Sequence, residues 1–213
     1  MEEPTIRLGE GETAVVGYGS LISVPSIGKT LGREYDGPFL ACHIEGWRRS
    51  WDVSMPNQAF YYKEQGVRVY PEKILYLNVR PEQGVLMNCV VFVLKSDEIE
   101  AMHHREWIYD RSVVTGSLCD LRVEGGDAIM YVARKQHIVR GAKSPREAAV
   151  RASYLRILNQ ALQKADPVFR AEYERTTDPV PEALVIEDTL DPDRPSPWAS
   201  AGHDYLPESQ LRD

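Results

Sequence analysis

The chain has 213 residues, of which 43% are hydrophobic and 27% charged, as in an ordinary globular protein. Its net charge of −7 argues against a broad nucleic-acid-binding face, because neutralising phosphates needs a surplus of Lys and Arg. The same acidic balance disfavours binding to an anionic membrane. The N-terminal residues are acidic and lack the apolar segment of a secretory signal. We therefore expect a soluble, cytoplasmic protein.

Three cysteines, Cys42, Cys89 and Cys119, lie far apart, and no two of them form a C-x-x-C pair. This spacing gives no sign of a zinc site or a redox dithiol. Each has apolar or small neighbours, so we expect three small buried thiols in a reducing compartment.

Strand-like segments predominate in the first 132 residues. Apolar and β-branched runs predict strands at 13–17, 39–51, 59–70, 73–79, 85–94, 111–115 and 128–132. The run at 85–94 is almost continuously apolar, which is typical of a central strand covered on both faces. Ser96 and the acidic residues after it predict the start of a short helix that ends near Glu106.

Helices follow the strands. The sequence Ser144-Pro145-Arg146-Glu147 combines an N-cap serine, a first-turn proline and a capping-box glutamate, which predicts a helix from there to about Lys164. Asp166-Pro167 predicts a second helix that ends near Arg175. Strands followed by helices, without βαβ alternation, predict an α+β fold.

We assign residues 1–175 to one domain and residues 176–213 to a C-terminal arm. The arm is rich in proline and aspartate, so we expect it to be extended or partly disordered. Its aromatic residues Trp198 and Tyr205 have three open placements: over a pocket, on a neighbouring subunit or in solvent.

Two segments resemble known functional motifs, a phosphate-binding loop and a metal-binding histidine pair, but do not match them. Residues Ser23–Thr30 resemble the phosphate loop G-x-x-x-x-G-K-[ST], but Ser23 replaces its first glycine and Pro25 removes an amide. We interpret this segment as a surface loop; the alternative is a nucleotide hydrolase that depends on Lys29. His103 and His104 are adjacent on a predicted helix and point about 100° apart, which favours surface histidines over metal ligands.

Two further segments have open interpretations. Gly17-Tyr18-Gly19-Ser20-Leu21 directly follows a predicted buried strand, and its glycines allow backbone N–H groups to converge on a carboxylate or an oxyanion. A tight turn without a ligand is the alternative. Glu106 lies beside Trp107 and Ile108, and such apolar neighbours raise a carboxyl pKa toward the range of a general base. An ordinary ion pair with a neighbouring arginine is the alternative.

Taken together, these segments resemble the γ-glutamylcyclotransferase-like family. The resemblance is carried by VVGYGSL at 15–21, a central apolar strand, EIEAMHHREWIYDR at 98–111 and the helix around Ser153-Tyr154-Leu155, and it covers about residues 13–175. It implies a small mixed β-barrel flanked by helices. Enzymes of this family act on γ-glutamyl amides: the α-amine of the substrate attacks its own γ-carbonyl carbon, which releases 5-oxoproline and a free amine or amino acid.

The resemblance also implies roles for individual residues. It assigns general acid–base catalysis to Glu106. It assigns substrate binding to Tyr18, Gly19, Ser20, Leu21 and Tyr109, with the loop amides on the carboxylate of the substrate. It implies a small-molecule γ-glutamyl substrate and no metal or organic cofactor. The segment 46–51 differs from the glutathione-specific branch, so the leaving group stays open, as does the oligomeric state. The alternative function is a non-catalytic binding module of the same fold for a small ligand or a protein partner.

Overall fold

The computed structural model describes residues 3–194. The strands in this range are β1 (Thr5–Arg7), β2 (Glu12–Gly17), β3 (Phe39–Pro56), β4 (Phe60–Glu64), β5 (Val67–Val69), β6 (Lys73–Lys95), β7 (Tyr109–Val113), β8 (Arg122–Glu124), β9 (Ala128–Ala133), β10 (Ala148–Arg151), β11 (Val185–Ile186) and β12 (Thr189–Leu190). The α-helices are α1 (Val24–Leu31), α2 (Ser96–Arg105), α3 (Ala152–Lys164) and α4 (Pro167–Arg175). Strands therefore precede most of the helical residues, and the predicted α+β class is confirmed.

The long strand β6 is the axis of the main sheet. The hydrogen-bonded order is β11-β10-β6-β2-β9-β7, and β3 pairs with β6 along its opposite edge. Alternate side chains of β6 enter two different core clusters: Phe92 and Leu94 lie in one, Cys89 and Val91 in the other. The prediction of a central strand covered on both faces is thus confirmed. The segments predicted as separate strands at 73–79 and 85–94 are parts of this one strand.

The helix predicted from Ser144 begins only at Ala152, so that start was wrong. Residues Ala148–Arg151 form β10 instead, paired in parallel with β6 on one side and with β11 on the other. Val150 is fully buried there. Pairing along both edges outweighs a local capping signal, because secondary-structure propensity is weaker than tertiary context. The second predicted helix, α4, is confirmed, with Asp166 as its N-cap.

The segment Ser23–Thr30 is a helix and not the surface loop that we expected. Ser23 caps α1 by accepting a hydrogen bond from the backbone N–H of Ser26, Pro25 lies in the first turn, and Gly32 ends the helix in the left-handed region at φ 66°. Each of these residues is typical of a helix end, so the signal was present in the sequence. Ile27 is fully buried, which fixes α1 against the core.

Two of the three cysteines are buried, as expected. Cys42 and Cys89 lie opposite each other on β3 and β6, with 3.5 Å between their Sγ atoms. The expectation was wrong for Cys119, which is exposed. It lies in a loop that is bound to β3 by a backbone hydrogen bond to His43 of 3.0 Å, and this places its side chain outside the core.

The first part of the predicted arm returns to the protein surface and extends its sheets. β11 pairs with β10, and β12 pairs antiparallel with β4. Thr176 at the start of the arm is fully buried. Residues 195–213, including Trp198 and Tyr205, lie outside the described residues, and the domain boundary after residue 175 stays a prediction. No helix within 3–194 is long and apolar enough to cross a membrane.

Arg49 on β3 is fully buried, and its hydrogen-bond acceptors are neutral. Its Nε donates to the carbonyl of Tyr18 at 2.9 Å, Nη1 to Thr176 Oγ1 at 2.8 Å, and Nη2 to the carbonyl of Asn88. The guanidinium lies 3.7 Å from the ring centroid of Tyr173, whose hydroxyl donates to the same Tyr18 carbonyl at 2.8 Å. Burial lowers the pKa of Arg49. This one side chain joins the turn after β2 to β3, β6 and the end of α4.

Replacing Arg49 should cost a large part of the stability. We expect Arg49→Met to lower the free energy of unfolding by about 3 kcal/mol or more, because several buried acceptors lose their donor at once. Urea denaturation followed by circular dichroism measures this change. Arg7→Met is the control, since the Arg7 side chain is 81% exposed, and it should stay within about 0.5 kcal/mol of the wild type. Equal losses in the two variants would contradict the structural role of Arg49.

Candidate active site

A cavity of about 1160 Å³ opens between α1, the end of α2, α3 and the arm. Its volume slightly exceeds the ~300–1,000 Å³ of most small-molecule sites. Its walls come from segments that are distant in sequence: Ser20 before α1, Glu106 after α2, Tyr154 on α3 and Asp188 in the arm. The fold therefore assembles one site from both ends of the chain.

Three of the six predicted site residues line this cavity: Ser20, Glu106 and Tyr109. Gly19 is not among the lining residues but lies next to one of them: a Cβ atom on this glycine would come within 3.1 Å of the hydroxyl oxygen of Tyr154. A side chain at position 19 would therefore require the Tyr154 hydroxyl to shift by a few tenths of an ångström.

Tyr18 and Leu21 are not among the residues that line the cavity. The Tyr18 ring belongs to the core cluster that contains Cys89, and its hydroxyl donates to the carbonyl of Tyr131 at 2.6 Å. Leu21 is buried in the cluster that contains Phe92. Their side chains anchor the turn that carries Ser20 in the core. The substrate-binding and catalytic roles of all six residues stay predictions.

Glu106 is one of three acidic side chains that line the cavity. It caps the C-terminal end of α2 and is the first residue of the turn into β7. Its side chain is only 13% exposed, and its Oε1 lies 3.0 Å from Arg105 Nε. Burial raises the pKa of Glu106, and the positive charge of Arg105 opposes this shift. Glu106 therefore shows both features that the sequence offered as alternatives: its carboxyl is desolvated, and it forms an ion pair with an arginine.

Arg105 connects Glu106 to the opposite wall. Its Nη1 donates to the carbonyl of Ser26 at 2.9 Å and to Thr30 Oγ1 at 2.5 Å. Its Nη2 donates to Ser20 Oγ at 2.8 Å and to Ser26 Oγ at 3.0 Å. These contacts hold the guanidinium rigidly between α1 and α2, so the position of the Glu106 carboxyl relative to Ser20 is fixed.

Tyrosines form the apolar part of the wall. The Tyr109 hydroxyl donates to the carbonyl of Leu77 at 2.9 Å, and burial raises the pKa of Tyr109 well above its ordinary value. Tyr76 and Tyr154 pack edge to face with their ring centroids 5.1 Å apart. Burial also raises the pKa of Tyr76 and Tyr154, so all three tyrosine hydroxyls stay protonated at neutral pH. This part of the wall is therefore uncharged.

Sequence reasoning missed several residues of the cavity. Arg105 had a signal, since it is the direct neighbour of Glu106. Tyr76, Arg151 and Asp188 also line the cavity, but they lie on a strand, at a strand end and in the arm, and nothing local in the sequence brings them together.

The described residues contain no group of three or more His, Cys, Asp or Glu side chains that could hold a metal ion. His103, expected at the surface, is partly buried: its Nδ1 lies 2.6 Å from the Tyr131 hydroxyl and its Nε2 lies 2.9 Å from Arg111 Nη1. Its two ring nitrogens thus have protein partners.

Within the comparisons with known proteins, no protein-family model and no curated protein sequence matches the chain. Solved structures do match. One is described as a γ-glutamyl cyclotransferase, with a TM-score of 0.53 and 10% identity over 80% of this chain and 90% of that one. Another is an uncharacterized protein from Homo sapiens, with a TM-score of 0.50 and 9% identity over 81% of this chain and 91% of that one. The chain therefore has the γ-glutamylcyclotransferase-like fold, and the resemblance seen in the sequence is confirmed at the level of the fold.

The opposing effects on Glu106 can be separated by removing the arginine. We expect Arg105→Met to raise the pKa of Glu106 further, because the positive charge that favours the ionised carboxylate is lost while the burial stays. The ¹³C chemical shift of the Glu106 carboxyl, followed through a pH titration, measures this pKa. An unchanged or lower pKa in the variant would show that Arg105 does not stabilise the carboxylate.

Proposed function

We propose that this protein converts a γ-glutamyl amide into 5-oxoproline and a free amine or amino acid, with Glu106 as the general acid and base. The observation that carries the proposal is the buried Glu106 carboxyl in the cavity wall, whose pKa is raised. Arg105 contacts both this carboxyl and the hydroxyl of Ser20. The γ-glutamylcyclotransferase-like fold supports it.

The reaction needs one group that moves a proton twice. The ionised Glu106 first accepts a proton from the α-ammonium of the substrate. The free amine nitrogen then forms a bond to the γ-carbonyl carbon, and a tetrahedral intermediate results. The bond from this carbon to the leaving nitrogen breaks as Glu106 returns the proton to that nitrogen, and the γ-carbonyl re-forms. The ring nitrogen then gives its second proton to Glu106, which passes it to the released amine. The protonation state of Glu106 is the same before and after, so no further acid or base is required.

The raised pKa suits both steps. A carboxyl with an ordinary pKa is a weak base toward an ammonium group and is rarely protonated at neutral pH, so it returns a proton inefficiently. Burial brings the pKa of Glu106 closer to neutrality, while Arg105 keeps the ionised form accessible. Because burial raises the pKa of Glu106 and Arg105 limits this rise, the carboxyl can both accept a proton and return it.

The substrate supplies the nucleophile, so the protein contributes chiefly by holding the γ-glutamyl chain in a folded conformation. Orienting two reacting groups in this way contributes several kcal/mol to the acceleration. Ser20 and Leu21 open a short 3₁₀ helix directly after Gly19. The first N–H groups of such a helix have no acceptor within it, and this supports the assignment of the loop amides to the carboxylate of the substrate.

The test is release of 5-oxoproline, measured by mass spectrometry on a panel of γ-glutamyl amino acids, γ-glutamyl amines and glutathione. We expect Glu106→Gln to reduce turnover by at least about a hundredfold, because the variant has no proton acceptor. Its thermal stability should stay close to that of the wild type, since the substitution preserves the shape of the side chain and removes a buried charge. Glu100→Gln, on the exposed side of the same helix, is the matched control and should keep full turnover.

Full activity in Glu106→Gln would refute the assigned role. A wild-type protein that binds γ-glutamyl compounds without releasing 5-oxoproline would instead indicate the non-catalytic binding module.

The raised pKa of Glu106 also predicts two pH dependences. The acid limb of kcat/KM should lie above the ordinary glutamate value of about 4.3, because the base must be ionised before it can act. The free energy of unfolding should instead decrease as the pH rises. Between the pKa of Glu106 in the unfolded state and its higher pKa in the folded state, the unfolded state loses the proton first, so a rising pH favours unfolding. The unfolding free energy of the wild type, measured relative to Glu106→Gln, should therefore fall with rising pH across this interval. A difference that rises with pH would mean that the folded pKa is lowered.

A further inference from the structure

The side chain of His43 on β3 lies between two carboxylates and is not part of the cavity lining. Its Nδ1 is 2.6 Å from Asp120 Oδ2, and its Nε2 is 2.9 Å from Glu172 Oε2. Asp120 belongs to the loop before β8, and Glu172 belongs to α4. The imidazole therefore connects three segments of the chain, and each of its ring nitrogens has an acidic partner.

This geometry matches a protonated ring. A neutral imidazole has one N–H donor and one acceptor nitrogen, whereas the imidazolium has two N–H donors. Because an ionised carboxylate only accepts hydrogen bonds, both contacts of His43 are satisfied together only in the charged form. Burial of the ring opposes the charge, but the hydrogen bonds to Asp120 and Glu172 outweigh burial, and the pKa of His43 is raised.

The neighbouring strands and the loop add no positive charge to this arrangement. β6 presents the neutral Asn88 opposite His43. The Cys42 thiol stays protonated at neutral pH, because a hydrogen bond to the neighbouring thiol and burial raise its pKa. Burial also raises the pKa of Cys119 in the loop. Glu45, two residues further along β3, is exposed and is a further carboxylate on this side of the sheet.

On α4, the other charged side chains point into solvent. Arg170 and Glu174 are exposed and pair with each other at 3.0 Å, and Arg175 is exposed as well. Glu172 is only 31% exposed on its side chain, and its ionic contact within residues 3–194 is to His43. The contact between His43 and Glu172 is therefore the ionic connection of α4 to β3.

The two carboxylates are held unequally. Asp120 also accepts a hydrogen bond from the backbone N–H of His43 at 2.7 Å, and this donor does not titrate. The loop is fixed once more by the backbone N–H of Cys119, which donates to the His43 carbonyl at 3.0 Å. When the ring loses a proton, the shorter contact keeps the remaining N–H on Asp120, and the lone pair of Nε2 then faces Glu172. The contact to α4 is thus the one that is lost.

We propose that His43 is a pH-dependent clasp, which holds α4 to β3 through Glu172 when the imidazole is protonated and releases α4 when it is neutral. The sign follows from linkage. The stabilising contribution is fully present below the ordinary histidine pKa of about 6.5, and it is lost as the pH rises through the higher pKa of the folded state.

Release loosens one helix and leaves the fold intact. The Tyr173 hydroxyl and the Phe169 carbonyl of α4 keep their hydrogen bonds to the core, at 2.8 Å and 2.6 Å, and neither bond involves His43. The effect of pH is therefore local to α4. Phe169 also lines the cavity, so the loosening includes one wall of the candidate site.

Hydrogen exchange of the α4 amides in the full-length protein tests the clasp. The exchange is measured between about pH 6 and about pH 9 and corrected for the intrinsic rate at each pH. We expect the protection of α4 to fall about two- to fivefold as the pH rises, as for the loss of a partly exposed ion pair. Glu172→Gln keeps the size of the side chain but removes its charge, so α4 should be less protected at low pH and its protection should no longer fall.

Glu174→Gln is the matched control. It makes the same chemical change two residues further along α4, at a side chain that is 61% exposed. Its protection should fall with rising pH as in the wild type. A wild-type α4 whose protection does not depend on pH would overturn the inference, and so would a fall of equal size in the wild type and Glu172→Gln.

The pKa of His43, measured by NMR titration of the imidazole resonances, is the second readout. We expect a value above 6.5 in the wild type and in Glu174→Gln. Glu172→Gln and Asp120→Asn should each lower it, because each removes one carboxylate from the ring. A wild-type value at or below 6.5, or a value that Glu172→Gln leaves unchanged, would overturn the inference. Neither measurement uses a γ-glutamyl compound, so the result is independent of the proposed function.

Discussion

The structure depends on the positive charge of Arg49, which is buried in the core. Arg49 is fully buried and satisfies its donors with carbonyl, amide and hydroxyl oxygens instead of a carboxylate. Burying a charge without a counter-ion is costly unless its hydrogen bonds are complete. Here they are supplied by segments at Tyr18, Asn88 and Thr176, so all three must be in place at once. The turn that carries Ser20 is therefore fixed to the core through the carbonyl of Tyr18.

The candidate site contains a second buried ionisable group, and burial shifts its pKa toward the neutral form in the same way. Glu106 is also a buried charge, but its single ionic partner, Arg105, is shared with the hydroxyls and a carbonyl of α1 and the turn before it. Burial disfavours the charged form of both groups: it lowers the pKa of Arg49 and raises the pKa of Glu106. A fully compensated carboxylate would be a poor base. The proposed proton transfer by Glu106 relies on this incomplete compensation, with Arg105 held in place by its hydrogen bonds to α1 and Ser20.

The sequence revealed those features whose signal is local. The apolar run of β6, the cap of α4, the glycine turn before Ser20 and the apolar neighbours of Glu106 can each be recognised within a few residues. The strand β10 could not, because its pairing partners lie about 75 residues before and 35 residues after it and override a good helix-capping signal. The cluster of Tyr76, Arg151 and Asp188 was missed for the same reason: three separate segments meet only in the folded protein.

The cavity takes its far wall from Asp188, Thr189 and Leu190, in the last part of the described chain. Synthesis proceeds from the N-terminus, so the turn, Glu106 and the central sheet all emerge from the ribosome before this wall exists. A nascent chain can thus form most of its core while its cavity is still open to water on one side. The segment that closes this side of the site is translated after α4, so a chain that stops after α4 would contain the proposed acid–base residue without one wall of its cavity.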